Sequence, residues 1–248
     1  MGKPSLSLPP LADAPSSTAT STSASARPSA ASGPLALPAP AANAEKPTSY
    51  LSMTGDACES ELKRRKIDYA LAPGGAQGVD RAIRLNGPLH GVEVHIPGAR
   101  STWHSSVHEI LDCRLALAVD DFAAFLAEKG VTEVLHVSMY RKNAHIAGKK
   151  TPSQHAYGRA IDVSAFVKRD GSRLDVLNDW GGAIGDTPCG PNATQPRVDT
   201  PAARELRSLV CEASSRGLFH LILTPDFNQA HANHLHMDIE PRGGCEVK

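Results

Sequence analysis

The chain has 248 residues, with 26 basic and 26 acidic side chains. No global field therefore draws nucleic acid or an anionic membrane to it. No apolar run approaches the roughly 20 residues of a membrane-spanning helix, so no transmembrane segment is expected and partners must be argued from a local site.

Residues 1–49 are almost entirely Ala, Ser, Thr and Pro without any hydrophobic period, which predicts a disordered tail or tether. Residues 50–248 have the mixed composition of one globular domain, expected to be a monomer. The stretch to about Arg100 is rich in Gly and Pro and reads as loops with short strands, VEVHI among them. A helix is expected across 104–130, because Val107, Ile110, Leu111, Leu115, Val119, Phe122 and Leu126 recur every three or four residues and Gly130 stands at the C-terminal cap. On that helix His104 and His108 are spaced i, i+4; with no third ligand in view they read as a solvated face.

VTEVLHVSMYR and AIDVSAF read as strands, joined by a polar connection. Residues 168–199 form a long excursion rich in Gly, Asp, Asn and Pro. A second helix starts at Thr200 as N-cap with Pro201 in its first turn and stops at Gly217. LFHLILT and HLHMDI close the domain as strands. The fold class is thus α+β, a small, mainly antiparallel sheet with flanking helices.

The five cysteines, Cys58, Cys113, Cys189, Cys211 and Cys245, form no CxxC pair, which argues against a cysteine zinc site or a redox motif. We expect disulfides Cys58–Cys113 and Cys211–Cys245, an arrangement that spacing alone leaves open. Disulfides point to export, periplasmic or extracellular, although the N-terminus lacks the apolar core of a secretory signal.

The last strand carries the chemistry. In HLHMDI, period-two alternation puts His234, His236 and Asp238 on one face and Leu235, Met237 and Ile239 on the other. Imidazoles two residues apart on a strand are separated by roughly 6.5–7 Å at the backbone, close enough to share a metal site without both being ligands. In SQHAYGRAID, His155 precedes the strand bearing Asp162, and a turn near Gly158 returns the imidazole towards the carboxylate. Two nitrogens and one oxygen suit zinc and leave its fourth position open, as in catalytic sites. Asp238 reads as a partner orienting a ligand imidazole. His136 and His220 lie in strands without a partner motif and read as structural.

SQHAYGRAID fits the pattern S-x-H-x-x-G-x-A-x-D, and HLH the pattern H-x-H, of zinc peptidases related to D-alanyl-D-alanine carboxypeptidases, D-Ala-D-Ala dipeptidases and murein endopeptidases. Together with CRLA and the stretch FHLILTPDFNQAHANHLHMDI, the chain most resembles the bacterial extensin-like C-terminal domain group. That resemblance implies a zinc peptidase-like fold and Zn2+ held by His155, Asp162 and His236. It also implies His234 as an unliganded general base, His231 as a further catalytic histidine, Arg141 facing the substrate, and Ser153 touching it. The implied partner is a peptidoglycan peptide and the implied reaction hydrolysis of amide bonds involving D-amino acids. A metal-bound but inactive wall-binding module, and a surface protein whose tail does the work, stand beside that reading.

Overall fold

The computed structural model describes residues 50–248, apart from 73, 75 and 242–244. The tail expected over 1–49 lies outside the described residues. The class is α+β, with two mixed-order sheets in place of the one expected. Strands β1 (Tyr69–Leu71), β2 (Ala82–Leu85) and β4 (Leu111–Asp112) form a three-stranded antiparallel sheet in that order. The larger sheet also uses β3 (Glu93–His95), β5 (Val131–Ser138), β6 (Ala160–Lys168), β7 (Arg173–Asp175), β8 (Leu221–Leu223), β9 (Leu235–Asp238) and β10 (Glu246–Val247). Its order is β10-β8-β9-β6-β5-β3, with β7 on the far part of β6. Pairing is antiparallel except at the two edges, where β3 with β5 and β10 with β8 run parallel.

Among the described residues, four α-helices accompany the sheets: α1 (Gly55–Arg64), α2 (Cys113–Glu128), α3 (Val176–Asp179) and α4 (Pro201–Ser215). The expected reading of 50–100 as loops and strands missed α1. Its sequence is strongly polar and buries only Cys58 and Leu62, so the apolar period is one pair long. Thr54 nevertheless caps it, its side chain accepting from the Ala57 N–H, and the Cys58–Cys113 disulfide fastens it to α2.

The helix expected from 104 begins only at 113. Ser106 and Glu109 make a capping box around a single 3-10 turn, Val107–Glu109. Next, Leu111 and Asp112 pair with Ile83 and Ala82, and the Asp112 N–H donates to the Gly158 carbonyl. An amide committed across the fold cannot join a helix, so Asp112 becomes the N-cap, its side chain accepting from the Arg114 N–H. His104 and His108 therefore never share a helix face, and the His108 ring bonds the Tyr140 carbonyl. From Cys113 onward the expected period holds, with Leu115, Val119, Phe122 and Leu126 all buried. α2 is buried on most sides because α1 and α4 pack on it as well as the sheet.

α4 starts and ends as its sequence predicts, with the Thr200 hydroxyl accepting from the Ala203 N–H and Pro201 in the first turn. The second disulfide is corrected: Cys211 on α4 joins Cys189, and Cys245 is a free thiol. The reason is the path of the 176–199 excursion, which folds back along α4. Arg207, wholly buried, bonds both the Thr194 carbonyl and the Asp226 carboxylate, and Asp226 also accepts from the Trp180 indole. That clasp carries Cys189 to Cys211. His136 sits fully buried on β5, where burial, with help from His95 and His104, pushes its pKa down to about 3 and keeps it neutral.

The glycine at 158 links this frame to the chemistry that follows. It has φ +61°, and a Cβ there would stand 2.9 Å from the Asp112 nitrogen. Gly158→Ala should lose about 1–3 kcal/mol in urea unfolding, whereas Gly87→Ala, in open space, should change little. Equal midpoints for the two variants would contradict this packing.

Candidate metal centre

The centre lies where β5, β6 and β9 run side by side. Asp162 on β6 and His236 on β9 are direct cross-strand partners, so their side chains leave the same face of the sheet. His155 comes from a 3-10 turn, Gln154–Tyr157, that Ser153 caps and that Gly158 closes in the left-handed conformation before β6 begins. The turn near Gly158 that the sequence suggested is what returns the imidazole to the carboxylate.

His155 Nε2 lies 2.9 Å from Asp162 Oδ1 and 3.1 Å from His236 Nδ1, and His236 Nδ1 lies 3.0 Å from the same Oδ1. All three side chains are buried. Each has its far side tied down. His155 Nδ1 donates to the Met139 carbonyl at 3.0 Å, His236 Nε2 faces Asp238 Oδ2 at 3.3 Å, and Asp162 Oδ2 accepts from Ser138 Oγ and pairs with Arg141. A carbonyl can only accept, so neutral His155 must carry its hydrogen on Nδ1 and turn its Nε2 lone pair to Asp162 and His236. His236 lies between two carboxylates, Asp162 at Nδ1 and Asp238 at Nε2. A cation placed among His155 Nε2, His236 Nδ1 and Asp162 Oδ1, a proton or a metal ion, satisfies all three atoms.

The donor set fits zinc. Two imidazole nitrogens and one carboxylate oxygen disfavour calcium and magnesium, which prefer oxygen shells. The separations of 2.9–3.1 Å are close to the roughly 3.3 Å between corners of a tetrahedron around an ion bound at about 2.0 Å. Among the described residues, these ligand atoms lie within 4.8 Å of one another. Asp238 takes the orienting place expected for it.

Two more histidines border the cluster. His234 points Nε2 towards Asp162 Oδ1 at 3.6 Å, with Nδ1 on Asn233 Oδ1. His231 has Nδ1 on Asn228 Oδ1 at 2.7 Å, and its ring centre lies 5.2 Å from that of His234. The Asn228 oxygen also accepts from the Ala230 N–H. That second bond fixes which amide atom is oxygen and so puts the His231 hydrogen on Nδ1. Burial lowers the pKa of both rings, that of His231 to about 4 with help from neighbouring imidazoles. Both are neutral at neutral pH, and His231 has Nε2 free to accept. Arg141, half exposed, reaches Asp162 Oδ2 at 3.1 Å. Ser153 is buried, with its hydroxyl spent on the His155 N–H.

Sequence reasoning missed Ser138, the Met139 carbonyl, Asn228 and Asn233. A carbonyl has no side-chain signature, and the asparagines read as ordinary loop residues of PDFNQAHAN. Their spacing was the available signal: Asn228 precedes His231 by three residues, as an N-cap does.

The family model described as Extensin-like protein C-terminus matches residues 56–247. No curated protein and no solved structure matches the chain.

Electrostatics give the centre a pH dependence. Burial alone would lower the His236 pKa, but Asp162 and Asp238 outweigh it and hold the metal-free ring at about 9. Burial raises the Asp162 pKa, yet bonds from His155 and His236 bring it well below the carboxylate range. A raised imidazole pKa stabilises the bare fold fully below about 6.5 and loses that contribution as pH rises through about 9. A metal ion must displace the same proton. Zinc affinity of the full chain should therefore climb between pH 6.5 and 9, with proton release in calorimetry; pH-independent uptake without proton release would contradict the assignment.

Proposed function

Because the chain belongs to the extensin-like protein C-terminal family and encloses a His/Asp/His donor set, we propose that it is a zinc-dependent hydrolase of peptide bonds in bacterial peptidoglycan, a relative of the D-Ala-D-Ala peptidases. The observation that carries the proposal is the convergence of His155 Nε2, His236 Nδ1 and Asp162 Oδ1 with their opposite atoms already bonded. Structural histidines seldom aim lone pairs at one another and at a carboxylate. The substrate class follows from the motif resemblance, and the two disulfides suit an oxidising, extracytoplasmic compartment.

Zinc held by His155, Asp162 and His236 would supply Lewis acidity, lowering the pKa of a water towards about 7 and polarising an amide carbonyl. The chain's own residues supply the rest. His234, neutral and with Nε2 turned to the centre, accepts the proton of the attacking water and returns it to the leaving amine. His231 holds a second neutral Nε2 beside it. Arg141 exchanges its contact with Asp162 for the carbonyl oxygen that gains charge during attack. Ser138 keeps Asp162 Oδ2 engaged when Arg141 turns away. Ser153 acts on this reading through His155, as the cap of its turn.

Digestion of purified peptidoglycan by the zinc-loaded chain, followed by release of new amino groups, tests the proposal. His236→Ala should abolish both metal and release, while His234→Ala should keep the metal and lose roughly 100-fold to 10,000-fold in rate. Full turnover in the His234 variant would remove it as the base. Zinc binding with no release from any wall chemistry would overturn hydrolysis and leave a metal-bound wall-binding module.

A further inference from the structure

The chain as a whole is balanced in charge, but one stretch is not. Between residues 139 and 161 stand five cations, Arg141, Lys142, Lys149, Lys150 and Arg159, and no carboxylate. Arg141 pairs with Asp162; Lys142, Lys149 and Lys150 are exposed and have no ion-pair partner among the described residues. The three lysines ride on a tight loop that leaves the sheet after β5 and returns to the His155 turn. The loop is built, not slack. Ile146 N–H donates to the Thr151 carbonyl at 2.9 Å, Ser153 N–H to Ala144 at 2.9 Å, Arg141 N–H to His155 at 3.0 Å, and His145 bridges Pro152. The bonds that shape this loop therefore also hold Arg141 and His155 side by side.

At the base of the loop is a cavity of about 180 Å³, walled by Asn143, His145, Pro152 and Tyr157 and closed by Gln77 and Gly78 from the segment before β2. Gly78 has φ +90°, and a Cβ there would stand 2.8 Å from the Ala156 carbonyl. The Gln77 carbonyl accepts from the Tyr140 hydroxyl at 3.0 Å. That segment thus meets the turn that carries His155 at Ala156 and the end of β5 at Tyr140. The cavity is smaller than the roughly 300–1,000 Å³ of a pocket for a whole small ligand, so it takes one residue of a longer one. Its walls hold no Lys, Arg, Asp or Glu. The cations sit on the loop segments flanking it, Lys142 next to Asn143 and Lys150 two residues before Pro152.

We infer that this cavity and its basic loop form a subsite for a carboxylate-bearing residue of the substrate peptide, adjoining the bond that the centre cleaves. The inference rests on the peptidase reading of the centre. The cavity takes the uncharged body of the residue, and the lysines take its carboxylate in solvent. Exposed charge contacts of this kind are individually weak and are screened by salt, so discrimination by several of them together is about five-fold at low ionic strength.

The test titrates the zinc-loaded full chain with two acetyl-capped, fluorophore-tagged pentapeptides that end in D-Ala-D-Ala and differ only in Glu or Gln at the third position, next to that dipeptide. The Glu peptide should bind about five-fold more tightly at low salt. That preference should fall below about two-fold in roughly 0.5 M salt and in the Lys149→Gln/Lys150→Gln variant, whose zinc content should be that of the wild type. Equal affinities, no binding of either peptide, or a preference that survives the double substitution would overturn the subsite. Hydrolysis of both peptides without a preference removes the subsite and keeps the hydrolase. A salt-sensitive, lysine-dependent preference without hydrolysis keeps the subsite and removes the hydrolase.

Discussion

Three atoms able to donate electron pairs, His155 Nε2, His236 Nδ1 and Asp162 Oδ1, are held about 3 Å apart in a buried space. A group of acceptors in a medium of low polarity repels itself, and its cost falls only when positive charge enters. Much of the surrounding structure maintains that crowding. The register of β6 against β9 sets Asp162 opposite His236. Gly158 presses the His155 turn onto Asp112, and the Cys58–Cys113 disulfide anchors the next residue of α2. On the other side, Arg207 and Trp180 grip Asp226 at the root of the loop that carries His231 and His234.

The division of labour among the histidines follows from their partners. His236 lies between two carboxylates and holds a proton strongly. His155 leans on a neutral carbonyl, and burial lowers its pKa. His231 and His234 lean on asparagine oxygens, which orient the ring without adding charge. An aspartate in either place would raise the pKa of the ring. One cluster therefore contains one strongly basic imidazole, set between two anions, and three weakly basic ones that lean on neutral amides.

The cluster was legible in the sequence because its residues fall in two short motifs that sit on regular elements. His155 and Asp162 flank one turn, and His236 and Asp238 obey the period of a strand. The frame was legible where apolar spacing was long, as in α2 after Cys113 and in α4. It was hidden where a distant contact decided the matter. Asp112 stops the helix because Gly158, forty-six residues on, takes its N–H. Cys189 finds Cys211 because Arg207 draws the excursion inwards, and nothing local to Cys189 announces this. α1 depends on a cap and a disulfide rather than on a stripe of apolar residues. The basic loop was visible as composition, but its place beside the centre depends on backbone bonds that composition does not encode.

Zinc K-edge X-ray absorption on the purified full chain, with its metal content measured on the same sample, tests the central claim most directly. The account predicts one zinc per chain in a shell of nitrogen and oxygen at about 2.0–2.1 Å, with outer-shell scattering from two imidazoles and no sulfur. A sulfur neighbour at about 2.3 Å, pointing to Cys245, or a chain that takes up no zinc at neutral pH, would contradict it.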